Sequence, residues 1–130
     1  MDETKSASAA AETILVIDDD PMILNLVDLM LQKHGFSTLL AGDGQTGLEI
    51  FKENSATIDL ILVDMLMPGM NGKKVIEEVL RLHPDCKIIL LTGYATDLEE
   101  LDGVRDIIQK PISLDRLHQQ IRQVLDLPPQ

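Results

Sequence analysis

The chain has 130 residues with 22 acidic and 11 basic side chains, so its formal net charge at pH 7 is −11. This negative charge argues against direct binding to nucleic acid or to an anionic membrane, and two phenylalanines and one tyrosine offer little surface for base stacking. A single cysteine excludes an internal disulfide, and no apolar run reaches the roughly 20 residues needed to cross a bilayer. We therefore expect one cytoplasmic domain.

Short apolar runs alternate with segments of helical spacing along the chain. The apolar runs predict five strands, at residues 14–18, 38–41, 60–64, 88–92 and 107–109. The spacing of apolar residues between them predicts helices from Pro21 to about Gly35, at 45–54, at 72–82, and from about Ser113 to a point before Pro128. The segment 96–102 has room for only one or two helical turns, so a fourth crossover helix is predicted to be short or irregular.

The first predicted helix has clear signals at its N-terminus. Asp20 is expected to be the N-cap and Pro21 the first helical residue. The side chains expected to face the core from this helix are Ile23, Leu26, Val27, Met30 and Leu31.

The predicted strands are continuous aliphatic runs instead of alternating apolar and polar residues. Strands of this kind are buried on both faces, and their alternation with helices is typical of βα units around a parallel sheet. The fold class is therefore predicted to be α/β. We assign residues 13–126 to this domain, and expect 1–12 to be a disordered tail and 127–130 a linker or terminus.

Polar side chains stand at the carboxyl ends of the predicted strands, where open parallel sheets bind ligands. The first strand runs into Asp18, Asp19 and Asp20, the third ends in Asp64, the fourth ends in Thr92, and the fifth is followed by Lys110 and Pro111. Because the carboxyl ends of parallel strands lie at one edge of a sheet, we expect these side chains to converge.

Carboxylates gathered at one edge repel each other, on the order of 4 kcal/mol for two unit charges 4 Å apart at an effective dielectric of 20. Either one carboxyl group is protonated or a cation lies among them, and oxygen ligands with few carboxylates favour Mg²⁺. Lys110 supplies a positive charge for an anion, and Thr92 supplies a hydroxyl group. This set suits a phosphoryl group, with Asp64 as a possible attacking carboxylate.

The segment 64–72 reads Asp-Met-Leu-Met-Pro-Gly-Met-Asn-Gly. Together with residues 14–20, Thr92-Gly93 and Lys110-Pro111, it strongly resembles the receiver domain of two-component response regulators. The resemblance covers about residues 13–125 and rests on four separated motifs in the right order at the strand ends. It implies a flavodoxin-like, doubly wound sheet with strand order 2-1-3-4-5.

The resemblance also implies a role for each site residue. Asp64 would accept a phosphoryl group from the histidine of a histidine kinase or histidine phosphotransfer protein. Mg²⁺ would be held by Asp64, by Asp19 as the principal ligand, by Asp18 through water, and by the backbone carbonyl of Leu66. Thr92 and Lys110 would engage the phosphoryl oxygens, and the bond from Lys110 to Pro111 would be cis. The resulting switch would control an output partner or a fused output domain.

The sequence departs from the family pattern at three places. Ile107 occupies the position of a common aromatic residue of the switch, which puts coupled threonine–aromatic switching in doubt. The chain from Thr92 to Lys110 is shorter than usual by about one helical turn of 3.6 residues. Leu66 and Tyr94 lie at positions that influence access of water, and their side chains predict slow hydrolysis of the phosphoryl group.

Other function classes fit the residues less well. A pseudo-receiver that only binds proteins would not need the complete set of site residues. A small aspartyl-phosphate phosphatase would need a second acid two residues after the nucleophile, where this chain has Leu66. Nucleotide binding is disfavoured because neither glycine-rich phosphate motif occurs.

Overall fold

The computed structural model describes residues 11–93 and 101–128. In this part of the chain the elements are β1 (Thr13–Ile17), α1 (Pro21–Lys33), β2 (Ser37–Ala41), α2 (Gly44–Asn54), β3 (Ile58–Asp64), α3 (Gly72–Leu82), β4 (Ile88–Thr92), β5 (Asp106–Gln109) and α4 (Leu114–Leu125). The five predicted strands and the four longer predicted helices are all found, with small differences at their ends. The short fourth crossover predicted at 96–102 lies largely outside the described residues.

The five strands form one parallel sheet in the order β2-β1-β3-β4-β5. The α/β prediction and the strand order 2-1-3-4-5 are therefore confirmed. The register places Ile17 opposite Val63 and Asp64 opposite Leu91. The carboxyl ends of β1, β3 and β4 consequently meet at one edge of the sheet.

Both faces of the sheet are covered, as the aliphatic strands predicted. In β1, Ile14 and Val16 belong to a core cluster shared with α1 and α4, whereas Leu15 and Ile17 belong to a second cluster shared with α2 and α3. This alternation follows from the two-residue period of a strand. Each fully buried aliphatic side chain contributes about 1.5–3 kcal/mol to stability through burial, so the two clusters hold the strand ends in fixed positions.

Helix α1 begins and ends where its sequence signals indicate. The Asp20 carboxylate accepts a hydrogen bond of 2.9 Å from the Met22 amide, and Gly35 adopts a φ of 88° just beyond the helix. The prediction that Leu26 faces the core is wrong, because its side chain is 43% exposed. The buried stripe of α1 is narrower than its apolar sequence suggests and consists of Val27, Met30 and Leu31.

Glu12, which was predicted to belong to a disordered tail at 1–12, is attached to the sheet, whereas residues 1–10 lie outside the described part of the chain. The Ser37 amide donates to the Glu12 carbonyl oxygen, and the Arg122 guanidinium of α4 makes two hydrogen bonds of 2.8 and 3.0 Å to the Glu12 carboxylate. None of the helices in the described part of the chain combines the length and apolar character that a membrane-spanning segment requires.

Candidate functional site

Three carboxylates meet at the carboxyl edge of the sheet. Asp18 and Asp19 follow β1, Asp64 is the last residue of β3, and one carboxylate oxygen from each lies within 4.8 Å of the others. Because Ile17 pairs with Val63, Asp18 and Asp64 come next on neighbouring strands. Asp18 is fully buried, Asp64 is 5% exposed and Asp19 is exposed. The sequence prediction that these residues converge is therefore met by the geometry.

The turn from β1 into α1 gives the three consecutive aspartates different positions. One oxygen of Asp18 accepts a hydrogen bond of 2.9 Å from the Asp20 amide, while the Asp20 side chain turns away to cap α1 through the Met22 amide. Asp19 lies between them and faces solvent. Only Asp18 and Asp19 thus contribute to the carboxylate cluster, and Asp20 has the capping position predicted for it.

Lys110 lies against the buried carboxylates. Its Nζ is 3.0 Å from Oδ2 of Asp18 and 3.5 Å from Oδ1 of Asp64, and its side chain is 25% exposed. The Lys110 amide donates a hydrogen bond of 2.7 Å to the carbonyl oxygen of Thr92, which fixes the lysine to the end of β4. The bond from Lys110 to Pro111 is cis, as expected. The sequence does not predict the direct ion pair with Asp18, because it indicates Lys110 only as a partner for an external anion.

Burial and neighbouring charges alter the acidity of this site. Desolvation and the charge of Asp18 raise the pKa of Asp64 from 3.8 to about 6, although Lys110 acts in the opposite direction. Burial by itself would lower the pKa of Lys110, but its hydrogen bond to Asp18 and the charges of both aspartates outweigh that effect and raise it. One lysine therefore does not fully compensate the carboxylates, and Asp64 is still mostly ionised at neutral pH.

Thr92 and Leu66 lie at the same edge. Thr92 is the fully buried last residue of β4, one position beyond the Leu91 that pairs with Asp64. Leu66 follows β3 by two residues, and its side chain is 54% exposed. Its apolar side chain therefore presents no ligand atom to the carboxylates, so a contribution to metal binding from this residue would have to come from its backbone carbonyl. Tyr94 lies outside the described residues.

Gly72 allows the loop after β3 to pass close to the site. A Cβ atom at this position would overlap the backbone carbonyl oxygen of Asp64 and lie 2.8 Å from Cα of Met65. The Gly72 amide donates a hydrogen bond of 2.8 Å to the Met65 carbonyl oxygen, and Asn71 caps α3 through the Lys74 amide. The sequence motif contains Gly72, but this close approach of two backbone segments only becomes evident in the structure.

The chemistry of the cluster fits a hard divalent cation. All three candidate side-chain ligands are carboxylate oxygens, which Mg²⁺ prefers over the nitrogen and sulfur ligands of zinc sites. Burial and the charge of Asp18 both disfavour the ionised form of Asp64, and a cation held among Asp18, Asp19 and Asp64 would stabilise that form. The site could therefore hold a magnesium ion beside a nucleophilic carboxylate.

Comparison with protein families gives one matching model, described as the response regulator receiver domain, over residues 14–122. Among curated proteins, the chain is 31% identical to the transcriptional regulatory protein GlrR of Escherichia coli K12 over 117 residues, covering 87% of this chain and 26% of that protein. It is 33% identical to the DNA-binding response regulator MtrA of Mycolicibacterium smegmatis, covering 85% of this chain and 49% of that protein. The chain thus spans at most about half the length of these two relatives.

Solved structures give the same result. A response regulator receiver domain protein from Clostridium thermocellum is 31% identical, with a TM-score of 0.83, and the match covers 90% of this chain and 95% of that one. The response regulator TrrA from Thermotoga maritima, solved in complex with Mg²⁺ and BeF, is 32% identical with a TM-score of 0.78, and the match covers 87% and 98% of the two chains.

Proposed function

Because the chain belongs to the receiver domain family of two-component response regulators, we propose that it is a phosphoacceptor module and that Asp64 is the residue phosphorylated. The donor would be a phosphohistidine on a histidine kinase or a histidine phosphotransfer protein. The observation that carries this proposal is the position of Lys110, which contacts the Asp64 carboxylate and a second buried carboxylate at the end of a neighbouring strand. An ordinary strand terminus does not need two buried carboxylates and a lysine.

The proposed reaction is a direct displacement at phosphorus. An oxygen of ionised Asp64 attacks the phosphorus atom in line with the bond to the donor histidine, and a new P–O bond forms as the P–N bond breaks. The electron pair of the broken bond returns to the imidazole nitrogen of the donor. The raised pKa of Asp64 leaves the carboxylate ionised at neutral pH but only weakly stabilised, which favours its reaction.

Asp18, Asp19 and Asp64 would hold Mg²⁺ together with the backbone carbonyl of Leu66. The ion, when bound, would neutralise carboxylate charge and allow the phosphoryl oxygens to approach. The structure of TrrA with Mg²⁺ and BeF supports this assignment for a protein of the same family. The chain would assist only its own phosphorylation and dephosphorylation and would not turn over a separate substrate.

Phosphorylation would change the partners of two neighbouring side chains. The phosphoryl group brings about −1.5 to −2 charge and new acceptor oxygens, which Lys110 and the Thr92 hydroxyl can engage. Lys110 would then exchange part of its contact with Asp18 for one with the phosphoryl oxygens. Ile107, which stands at the position of the usual aromatic residue, cannot form the coupled threonine–aromatic arrangement.

The output of the switch would come from a partner protein or from a fused output domain. GlrR and MtrA are both longer than this chain and are named as regulators. We propose that residues 13–126 form the receiver unit, that residues 127–130 connect it onward or end it, and that it works in the cytoplasm with a kinase and an output partner or fused output domain.

The proposal is tested by intact-mass measurement after incubation with acetyl phosphate, with and without Mg²⁺. We expect a metal-dependent gain of one phosphoryl group that disappears in Asp64→Ala. Asp85→Asn is the matched control, because it removes a carboxylate that is exposed and lies outside the cluster. Turnover of acetyl phosphate without a stable adduct would favour a phosphatase, and absence of any reaction would favour a pseudo-receiver.

A further inference from the structure

Two positively charged side chains lie at the N-terminal ends of β4 and β5, the strands that lead to Thr92 and Lys110. Lys87 immediately precedes β4, whose last residue is Thr92, and Arg105 immediately precedes β5, which is followed by Lys110. Residues 88–91 of β4 are fully buried, so β4 passes through the core between the two edges of the sheet. Each of these two strands therefore connects a residue of the phosphorylation site with a cation at the opposite edge.

The two cations bind the chain that follows α4. Lys87 Nζ donates hydrogen bonds of 2.6 Å to the carbonyl oxygens of Leu125 and Leu127, and Arg105 Nη1 donates one of 3.3 Å to the carbonyl oxygen of Pro128. The last carbonyls of a helix lack partners within the helix and carry partial negative charge, so a lysine is favoured there. We call residues 125–128 the C-terminal strap.

The contact between Arg105 and the C-terminal strap is incomplete. Arg105 Nε and Nη2 are buried and have no hydrogen-bond partner in the described part of the chain, although Nη1 has one. Nε and Nη2 form the edge of the guanidinium that suits two acceptor oxygens side by side. Buried donors without partners are costly, so an arrangement that brings further acceptors to this edge would be favoured.

We propose that the C-terminal strap has a second, tighter arrangement on Lys87 and Arg105, and that phosphorylation of Asp64 favours it. This inference rests on the proposed function, because the signal begins when Thr92 and Lys110 engage the phosphoryl group. Because β4 is buried and close-packed, it does not deform gradually, so a shift at its carboxyl end is passed to Lys87. The same shift reaches Arg105 because the Arg105 amide donates a hydrogen bond of 2.9 Å to the Ile88 carbonyl oxygen of β4.

The experiment measures hydrogen exchange in the complete chain with Mg²⁺, with and without beryllofluoride as the phosphoryl analogue. Fluorine NMR shows independently whether the analogue is bound. We expect the amides of Asp126 and Leu127, which donate to the carbonyls of Arg122 and Val124, to exchange at least threefold more slowly with the analogue. If the analogue binds and these amides exchange at an unchanged or faster rate, the proposal for the C-terminal strap is overturned and the proposed function stays intact. Failure to bind the analogue overturns both.

Linkage requires the reverse effect as well, since the strap must influence affinity for the analogue if the site influences the strap. Arg105→Lys keeps the charge but removes the Nε and Nη2 edge, and Lys87→Met removes the contacts to two carbonyls. We expect each to weaken beryllofluoride binding at least threefold. Lys33→Met, which removes an exposed lysine at the end of α1, should leave affinity unchanged. Equal affinity in folded Arg105→Lys and the unaltered protein would contradict the proposal.

Discussion

The interiors of the central strands and their carboxyl ends differ in character, because the interiors are apolar core and the ends carry the polar residues of the site. In β3 the residues from Leu60 to Val63 are fully buried and apolar, and the next residue is the buried carboxylate of Asp64. In β4 four fully buried aliphatic residues are followed by Thr92. The same backbone therefore changes from a packed core to a polar site within one residue.

This difference assigns stability and chemistry to separate parts of one strand. The strand interiors lose water from apolar surface, which is the main favourable contribution to folding. The carboxyl ends bury two like charges, which opposes folding and leaves Asp64 with a raised pKa. Polar groups arranged in advance for a reaction commonly have such a cost, and the strand interiors offset it.

The largest loss of stability is expected from a substitution in the interior of β3. Leu62 is fully buried between neighbouring strands and helices, so Leu62→Ala leaves a cavity and is expected to lower the free energy of unfolding by about 2–5 kcal/mol. Urea denaturation followed by circular dichroism measures this loss. Phosphorylation of the folded fraction by acetyl phosphate should stay within about twofold of the unaltered protein, because the site residues are unchanged. Loss of phosphorylation in folded Leu62→Ala would show that the two parts are not separable.

A smaller loss of stability is expected when Lys110, at the carboxyl edge of the sheet, is replaced. Lys110→Met leaves Asp18 and Asp64 buried without their common cation, which should cost about 2–4 kcal/mol at pH 7 in metal-free buffer. The loss should shrink at pH 5, because Asp64 is then protonated and one of the two charges is gone. Lys52→Met removes an exposed lysine and should show little change at either pH. A loss that is equal at both pH values would mean that packing of the lysine stem, and not its charge, is responsible.

Removal of the reactive carboxylate of Asp64 should raise the free energy of unfolding, whereas removal of Lys110 lowers it. The folded-state pKa of Asp64 is about 6, above the ordinary value of 3.8, so the folded protein binds this proton more tightly than the unfolded chain does. Its stability therefore falls as pH rises from about 4 to 6. Asp64→Asn should be more stable than the unaltered protein by about 1–3 kcal/mol at pH 7, with little difference at pH 4.

The same variant should lose its response to magnesium. In the unaltered protein, Mg²⁺ at pH 7 should raise the urea midpoint because it binds the folded carboxylate cluster. The rise should be much smaller in Asp64→Asn, which has lost one ligand, and phosphorylation should be absent. A variant that is less stable than the unaltered protein at pH 7 without metal would contradict the idea that the charge at the strand end opposes folding.

The sequence predicts the strand interiors and strand ends for the same physical reason. An aliphatic run that stops at a charged residue marks both a strand buried on two faces and the edge at which the strand ends, so Asp18, Asp64 and Lys110 could be located together. The buried face of α1 does not follow from the sequence alone, because Leu26 shares the helical spacing of Val27 and Met30 but lies beyond the stripe that packs on the sheet. The width of that contact depends on how closely α1 and α4 approach, which local spacing does not contain.

Contacts between segments that are distant in the chain also could not be predicted from the sequence. His34, at the end of α1, stacks on His118 of α4 with ring centroids 3.6 Å apart and an interplanar angle of 12°. The three histidines of the sequence show no spacing that would suggest a pair. The ion pair between Arg122 and Glu12 is similar, because 110 residues separate its partners. Such contacts follow from the topology and from no local pattern.

The stacked histidines, which lie between α1 and α4 and outside the carboxylate cluster, provide the test with the smallest expected effect. Burial and the nearby His34 and Arg122 lower the pKa of His118, while Asp115 acts in the opposite direction. A lowered folded-state pKa means that the contribution of His118 is present above its ordinary value of 6.5 and is lost as pH falls through the folded pKa. Asp64 titrates in the same range with the opposite sign, so the measurement belongs in Asp64→Asn. In that background we expect the urea midpoint to fall between pH 7.5 and 5.5, and His118→Gln to reduce the fall. An equal fall in both proteins would show that protonation of His118 does not oppose folding.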